Sequence, residues 1–364
     1  MYNSTQNPCP THPDLSKAAR SGLAFGFILS MLISFPGNIL VIVTVVTNRR
    51  MRTVTNYLIV NMAVADLLLT VFNMPSTTST VISPSYFWYT GEFWIAMCKL
   101  LPFIQSVSVA SSVLNMTAIA VDRFFAVVLP LRRYITFNVA YIMMAAVWVV
   151  AIGVSAPFLY AQNVISFPGM PGKVACMETW KHPIEQLMEI SEPKDFTVVL
   201  FVVFYVLPLI VMSVLYSVVI YKLWIRKLPG QRSELNQQRA DRSKKKVLRM
   251  LLIVLLLFAL CWLPVHVTSF ILFFGTCSPP PILTWIGYLL SQGNSAINPC
   301  IYVIFNESYR QGFARLVCCL CRRKGSRMVR PGVTVIGMDN TYIDGVTRSN
   351  IASPSPRMLR DTYT

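Results

Sequence analysis

Seven runs of about 20 apolar residues recur along this 364-residue chain. They lie near 22–47, 57–80, 98–128, 139–160, 196–224, 247–274 and 282–305. A helix rises about 1.5 Å per residue, so each run can cross a hydrocarbon core of about 30 Å. Within that core a chain must satisfy its own backbone hydrogen bonds, and for runs of this length only helices do so. The expected fold class is therefore an all-α membrane protein. Charged residues form 13% of the chain, against about 25% in soluble domains. No segment between the runs is long enough for a second domain. The first 21 residues are polar, with no basic start and no apolar core. They are expected not to be a cleavable signal peptide, leaving the first run as an uncleaved insertion signal.

Orientation follows from Lys and Arg in the short loops. The first loop has Arg49, Arg50 and Arg52; the third has Arg132 and Arg133. The fifth, 222–249, holds ten basic residues and two acids, and Arg315, Arg322, Arg323 and Lys324 follow the last run. The sixth loop, 275–281, carries no charge, and 161–195 has five acids against three Lys. Odd loops and tail are expected inside, with the N-terminus outside. The formal charge of +17 is mostly this asymmetry. No basic soluble module exists to bind nucleic acid, so no nucleic-acid partner is expected.

Charges at membrane depth are costly and usually functional. Asp66 is the one acid in the middle of a run, and an unpaired carboxylate there takes up a proton or finds a cation. Asp122 and Arg123 stand together at the inner end of the third run, as a switch would. Cys9, Cys98, Cys176 and Cys277 fall on the outer side, where disulfides persist. Cys318, Cys319 and Cys321 fall inside. Asn3-Ser4-Thr5 is a glycosylation acceptor on the outer side.

Each run also carries a short signature. In order these are Gly37-Asn38; Asn61 with Ala63-Val64-Ala65-Asp66; Cys98 with Asp122-Arg123-Phe124; and Trp148 with Pro157. Pro208 with Tyr216, Phe258 with Cys261-Trp262-Leu263-Pro264, and Asn298-Pro299-Cys300-Ile301-Tyr302 complete the series. The set resembles the rhodopsin-like class of G-protein-coupled receptors over about 21–317. Within that class, Gln105, Pro75 and Cys176-Met177-Glu178-Thr179-Trp180 resemble receptors of the neuropeptide Y, RFamide and orexin group.

The resemblance implies an extracellular N-terminus (1–21) and a seven-transmembrane helix bundle (22–305). Tyr309, Phe313, Leu316 and Val317 recur at helical spacing, which predicts a short amphipathic eighth helix on the membrane surface over 306–317. A cytoplasmic tail (318–364), polar and expected to be disordered, completes the multi-pass plasma-membrane protein. The resemblance also implies an activation switch of Asp122, Arg123, Tyr216, Phe258, Trp262, Pro264, Asn298, Pro299 and Tyr302. A disulfide would join Cys98 to Cys176, and a second would join Cys9 to Cys277. Cys318, Cys319 and Cys321 would be palmitoylated, and Asn3 glycosylated. No cofactor is implied beyond an allosteric sodium ion at Asp66, Ser112, Asn294, Ser295 and Asn298, with Asn38 close by.

The ligand class follows from the pocket positions the resemblance assigns. Amine receptors carry an aspartate where this chain has Gln105. Opsins carry a Lys in the seventh span, and 282–305 has none, with Gln292 at that place. The resemblance points to a neuropeptide held by Gln105, Glu178, His266, Tyr288 and Gln292, with His266 and Gln292 as a polar floor. The acidic outer loop suits a basic or amidated peptide. Expected partners are this extracellular peptide, a heterotrimeric G protein, arrestin with receptor kinases, and membrane lipids. A small-molecule or lipid ligand is one alternative, and a secondary transporter or channel is another. No enzyme activity is expected, since the three His at 12, 182 and 266 show no metal-ligand spacing.

Overall fold

The structure, a computed structural model, describes residues 13–83, 90–130, 132, 134–166, 174–180, 193–225 and 234–325. Of 193, 223–225, 234–247 and 318–325 it describes the backbone alone. Contacts divide the chain into Met1–Leu320 and Cys321–Thr364. The first unit holds the bundle; the described part of the second is helical, 321–325.

The helices are α1 (Lys17–Thr47), α2 (Val54–Ile82), α3 (Glu92–Val128), α4 (Phe137–Ala161), α5 (Lys194–Lys222), α6 (Glu234–Phe274), α7 (Pro281–Phe305) and α8 (Glu307–Gly325). Caps explain several starts. The side-chain oxygens of Ser16, Thr53 and Thr136 accept the backbone N–H groups of Ala19, Asn56 and Val139 at 3.2, 3.3 and 3.4 Å. Two helices contain a π-helical turn, Leu69–Asn73 in α2 and Val202–Val206 in α5. Such turns widen a helix by one residue and often mark functional sites.

Packing follows chain order around a central helix. Helix α3 packs on α2, α4 and α5; α7 closes the ring by packing on both α6 and α1. Phe25, Leu32, Ile142, Val149, Ile210 and Leu256 point outward, as lipid-facing residues do. Among the described residues six helices are long and apolar enough to cross a membrane by composition. Helix α7 falls short on composition alone: Ser291, Gln292, Asn294, Ser295 and Asn298 are all buried in the bundle. Its polar face points inward, so its average hydropathy understates its place. Gly37 in α1 lets α7 approach; a Cβ there would come within 2.8 Å of Pro299 Cβ.

Three details differ from expectation. The outer segment after α4 forms an antiparallel hairpin, β1 (Gln162–Ser166) on β2 (Val174–Glu178), with Val164 opposite Cys176. Helix α8 runs on to Gly325 rather than stopping at 317. Its Tyr309 does not lie on a membrane surface: it is 0% exposed and stacks on Tyr302 with ring centroids 5.5 Å apart. The ring pair buries apolar surface on both rings, and Tyr309 Oη reaches Asn56 Oδ1 at 3.4 Å.

Candidate functional site

Three polar centres are stacked along the axis of the bundle. The outer one joins α2, α3 and α7. Asn73 Nδ2 donates to Leu101 O at 2.9 Å and to Gln105 Oε1 at 3.2 Å. Gln292 Nε2 donates to Thr77 Oγ1 at 2.9 Å. The oxygens Asn73 Oδ1 and Gln292 Oε1 are buried with no donor. Two buried acceptors without donors are costly, and they suit a ligand that brings N–H groups. Asn73 and Thr77 escaped the sequence reading. Their signal was the spacing of Asp66, Thr70, Asn73 and Thr77, which line one face of α2.

His266 departs from the expected polar floor. Among the described residues it makes no hydrogen bond. Its ring lies 4.6 Å from Tyr205, 5.0 Å from Phe201 and 6.2 Å from Trp262. Aromatic neighbours on α5 and α6 leave it no polar partner, so it belongs to a ring cluster. Tyr288 packs with Trp285 at 6.0 Å beside the Leu23–Phe27 segment of α1. Glu178, at the end of β2, lies within electrostatic reach of Tyr288.

Glu178 is half-buried, and burial pushes its carboxyl pKa above the usual range, partly offset by a hydrogen bond from Trp180. That bond runs from Trp180 Nε1 to Glu178 Oε1 at 2.7 Å. Among the described residues no cation pairs with it. The hairpin that carries it is pinned to α3 by the Cys98–Cys176 disulfide. Lys99 Nζ adds a bond to Asn163 Oδ1 at 3.2 Å. Cys277 is disulfide-bonded; Cys9 and Asn3 lie outside the described residues. Glu185, Glu189 and Glu192 lie outside them too.

The middle centre surrounds Asp66. Asn298 Nδ2 donates to its Oδ2 at 2.9 Å and Ser112 Oγ to its Oδ1 at 3.3 Å. Asn38 does not join them; its Nδ2 is spent on Ser34 and on the Ser295 carbonyl at 3.2 Å. Ser295 Oγ turns to its own helix, donating to Gln292 O at 2.7 Å. A cavity lined by Asp66, Ser108, Ser112, Trp262, Asn294 and Ser295 has about 10 Å³ open to the centre of a water-sized sphere. That is room for one small occupant. Ser108, unforeseen, contributes a buried hydroxyl without a partner. A carboxylate with neutral oxygens around so small a space fits a hard monovalent cation.

The inner centre is the Asp122–Arg123 pair. Arg123 Nη2 meets Asp122 Oδ2 at 2.6 Å and Nε meets it at 3.1 Å. Asp122 does not hold Arg123 alone. Thr55 Oγ1, on the first turn of α2, donates to Asp122 Oδ2 at 2.6 Å and itself accepts from Arg123 Nη2. Tyr216 is buried close enough to feel the charge of Arg123. Phe258 and Trp262 lie one turn apart on α6 with ring centroids 6.1 Å apart and planes tilted by 35°, ahead of Pro264. Pro299 and Tyr302 are buried on α7. Cys318, Cys319 and Cys321 lie on α8, where side chains are not described.

Comparison with known proteins gives a consistent set. The family described as 7 transmembrane receptor (rhodopsin family) matches residues 37–302. A QRFP-like peptide receptor of Branchiostoma floridae is 34% identical over 328 residues, covering 88% of this chain and 83% of that protein. The Pyroglutamylated RF-amide peptide receptor of Rattus norvegicus is 32% identical, covering 90% and 77%. The RYamide receptor of Drosophila melanogaster is 30% identical, covering 88% and 71%.

Proposed function

Because the chain belongs to the rhodopsin family of seven-transmembrane receptors, we propose that an extracellular neuropeptide activates it and that heterotrimeric G proteins carry the signal. It is a membrane receptor rather than an enzyme. The relatives are named for RF-amide and RYamide peptides. The ligand assigned here is therefore a peptide with a basic residue near an amidated end.

One observation carries this assignment. The outer centre leaves two buried carbonyl oxygens without donors, and a terminal amide brings two N–H donors and no carboxylate. Glu178, half-buried and with no cation paired to it among the described residues, is the complementary group for the basic residue. In this reading Gln105, Gln292 and Tyr288 hold the amidated end, and His266 passes its position to the ring cluster. The peptide then biases a two-state bundle. Trp262 and Phe258 shift at Pro264, Arg123 leaves Asp122, and Tyr216 and Tyr302 move toward it with Asn298 and Pro299.

A sodium ion at Asp66, Ser112, Asn294, Ser295 and Asn298 would neutralise the carboxylate and tie α2, α3 and α7 together. Further parts of the reading concern the ends of the chain. The N-terminus faces the extracellular side of the plasma membrane with a glycan on Asn3. Acyl chains on Cys318, Cys319 and Cys321 anchor α8. Kinases phosphorylate Ser349, Ser353, Ser355, Thr362 or Thr364, and arrestin then binds.

The test is peptide potency. Gln105→Ala and Glu178→Ala each lower the potency of a pyroglutamylated RF-amide peptide by about tenfold, the weight of one buried polar contact. Surface expression stays at the wild-type level in both. Unchanged potency in both variants would move the pocket elsewhere.

A further inference from the structure

We propose that the Tyr205 hydroxyl is a clasp that fastens α5 to the proline hinge of α6 and holds the receptor in its latched state. Tyr205 Oη donates to the backbone carbonyl of Ala259 at 2.8 Å. Ala259 lies five residues before Pro264, on the N-terminal side of the proline. Proline has no N–H and clashes with the carbonyl four residues back, so the Leu260 carbonyl loses its helical donor and the turn around 259–260 is weakened. A donor from a neighbouring helix steadies that turn from outside.

Tyr205 lies in the π-helical turn Val202–Val206. Consecutive residues of a helix point about 100° apart, so two of them can face two different neighbouring helices. Here both Phe204 and Tyr205 are buried. Phe204 packs with Val107, Ala110 and Ala151 of α3 and α4. Tyr205 turns the other way, into the cluster that holds Met212, Phe258 and Trp262. Its ring also touches both ends of the signalling route. It lies 4.6 Å from His266 toward the ligand and 6.2 Å from Phe258 toward the inner face.

The state in which the bond is seen is the latched one, with Arg123 held by Asp122 and Thr55. Movement of the inner half of α6 about Pro264 carries Ala259 away from α5. Breaking the clasp therefore opposes activation, and Tyr205 acts as a positioning residue for Pro264. The proposal rests on the receptor reading above.

The experiment measures GTP-analogue exchange by heterotrimeric G protein, without ligand, on the full-length receptor in lipid nanodiscs. Tyr205→Phe keeps the ring and removes only the hydroxyl. It is expected to raise basal exchange about fivefold, the equilibrium weight of one neutral hydrogen bond. By linkage, it raises the affinity of a pyroglutamylated RF-amide peptide by up to the same factor. A residue with a merely structural role would lower expression, exchange and affinity together. Tyr205→3-fluorotyrosine, nearly the same shape with a stronger donor, shifts both readouts the opposite way and covers the case of a Phe variant that fails to fold. Asp122→Asn is the reference for a receptor able to signal. If it exchanges faster than wild type while both Tyr205 variants match wild type, the clasp is overturned. If no variant, Asp122→Asn included, drives exchange even with the peptide, the receptor reading falls and the clasp with it.

Discussion

Asp122→Asn raises ligand-independent G-protein activation about tenfold. Asp122 accepts two bonds from the Arg123 guanidinium and one from Thr55, all on Oδ2. Charge-assisted bonds contribute about 1.5–3 kcal/mol each when dry, and less where solvent screens them. Arg123 is 28% exposed, which brings the loss to about 1.4 kcal/mol, a factor of ten. Asparagine keeps an acceptor for Thr55 but has no charge for Arg123. Asp122 and Thr55 are the restraints on Arg123 among the described residues. Basal nucleotide exchange checks the effect, and an unchanged basal level contradicts the latch. Thr55→Val should raise basal exchange by less, since it removes a neutral partner.

Loss of the outer disulfide has a comparably large effect, on ligand binding instead of on the resting equilibrium. Cys98→Ser and Cys176→Ser each reduce peptide binding by more than about tenfold, and surface receptor falls with it. The bond closes a loop with a sequence separation of 78 residues and fixes β2 against the outer end of α3. A bridge of this kind contributes about 2–5 kcal/mol. Glu178 sits two residues beyond Cys176 on the same strand. Without the bridge the hairpin no longer presents that carboxyl to the pocket. The double variant should be no worse than either single one, because the second thiol has already lost its partner. Additive losses would indicate separate roles for the two cysteines.

Much of the architecture was legible because a bilayer imposes a coarse rule. Runs of about 20 apolar residues have little choice of fold, so most expected spans lie within a few residues of the observed helices, while α6 extends back to Glu234, into the basic loop. Helix α3 begins earlier than expected, at Glu92, because Gly91 (φ 110°) turns the chain and lets a helical turn precede the apolar run. What stayed hidden depends on direction rather than hydropathy. No pattern of apolar residues announces that α2 and α5 contain π-helical turns, in which Asn73 and Tyr205 are buried. Tyr309 reads as part of a membrane-facing stripe in the sequence and is buried against Tyr302 in the fold. His266 is polar by composition and sits among rings. The polar stripe through Asp66, Thr70, Asn73 and Thr77 was available in the spacing. It becomes informative once α3 and α7 are known to face it.

The central claim is that this chain converts extracellular peptide binding into nucleotide exchange. Membranes carrying the full chain and heterotrimeric G protein test it most directly, with a panel of peptides ending in Arg-Phe-amide or Arg-Tyr-amide and their free-acid counterparts. The expected result is faster GTP-analogue exchange with at least one amidated peptide, and a weaker response to its free acid. The contradicting result is no exchange with any peptide while the membranes show ligand-driven solute flux, which would make the chain a transporter.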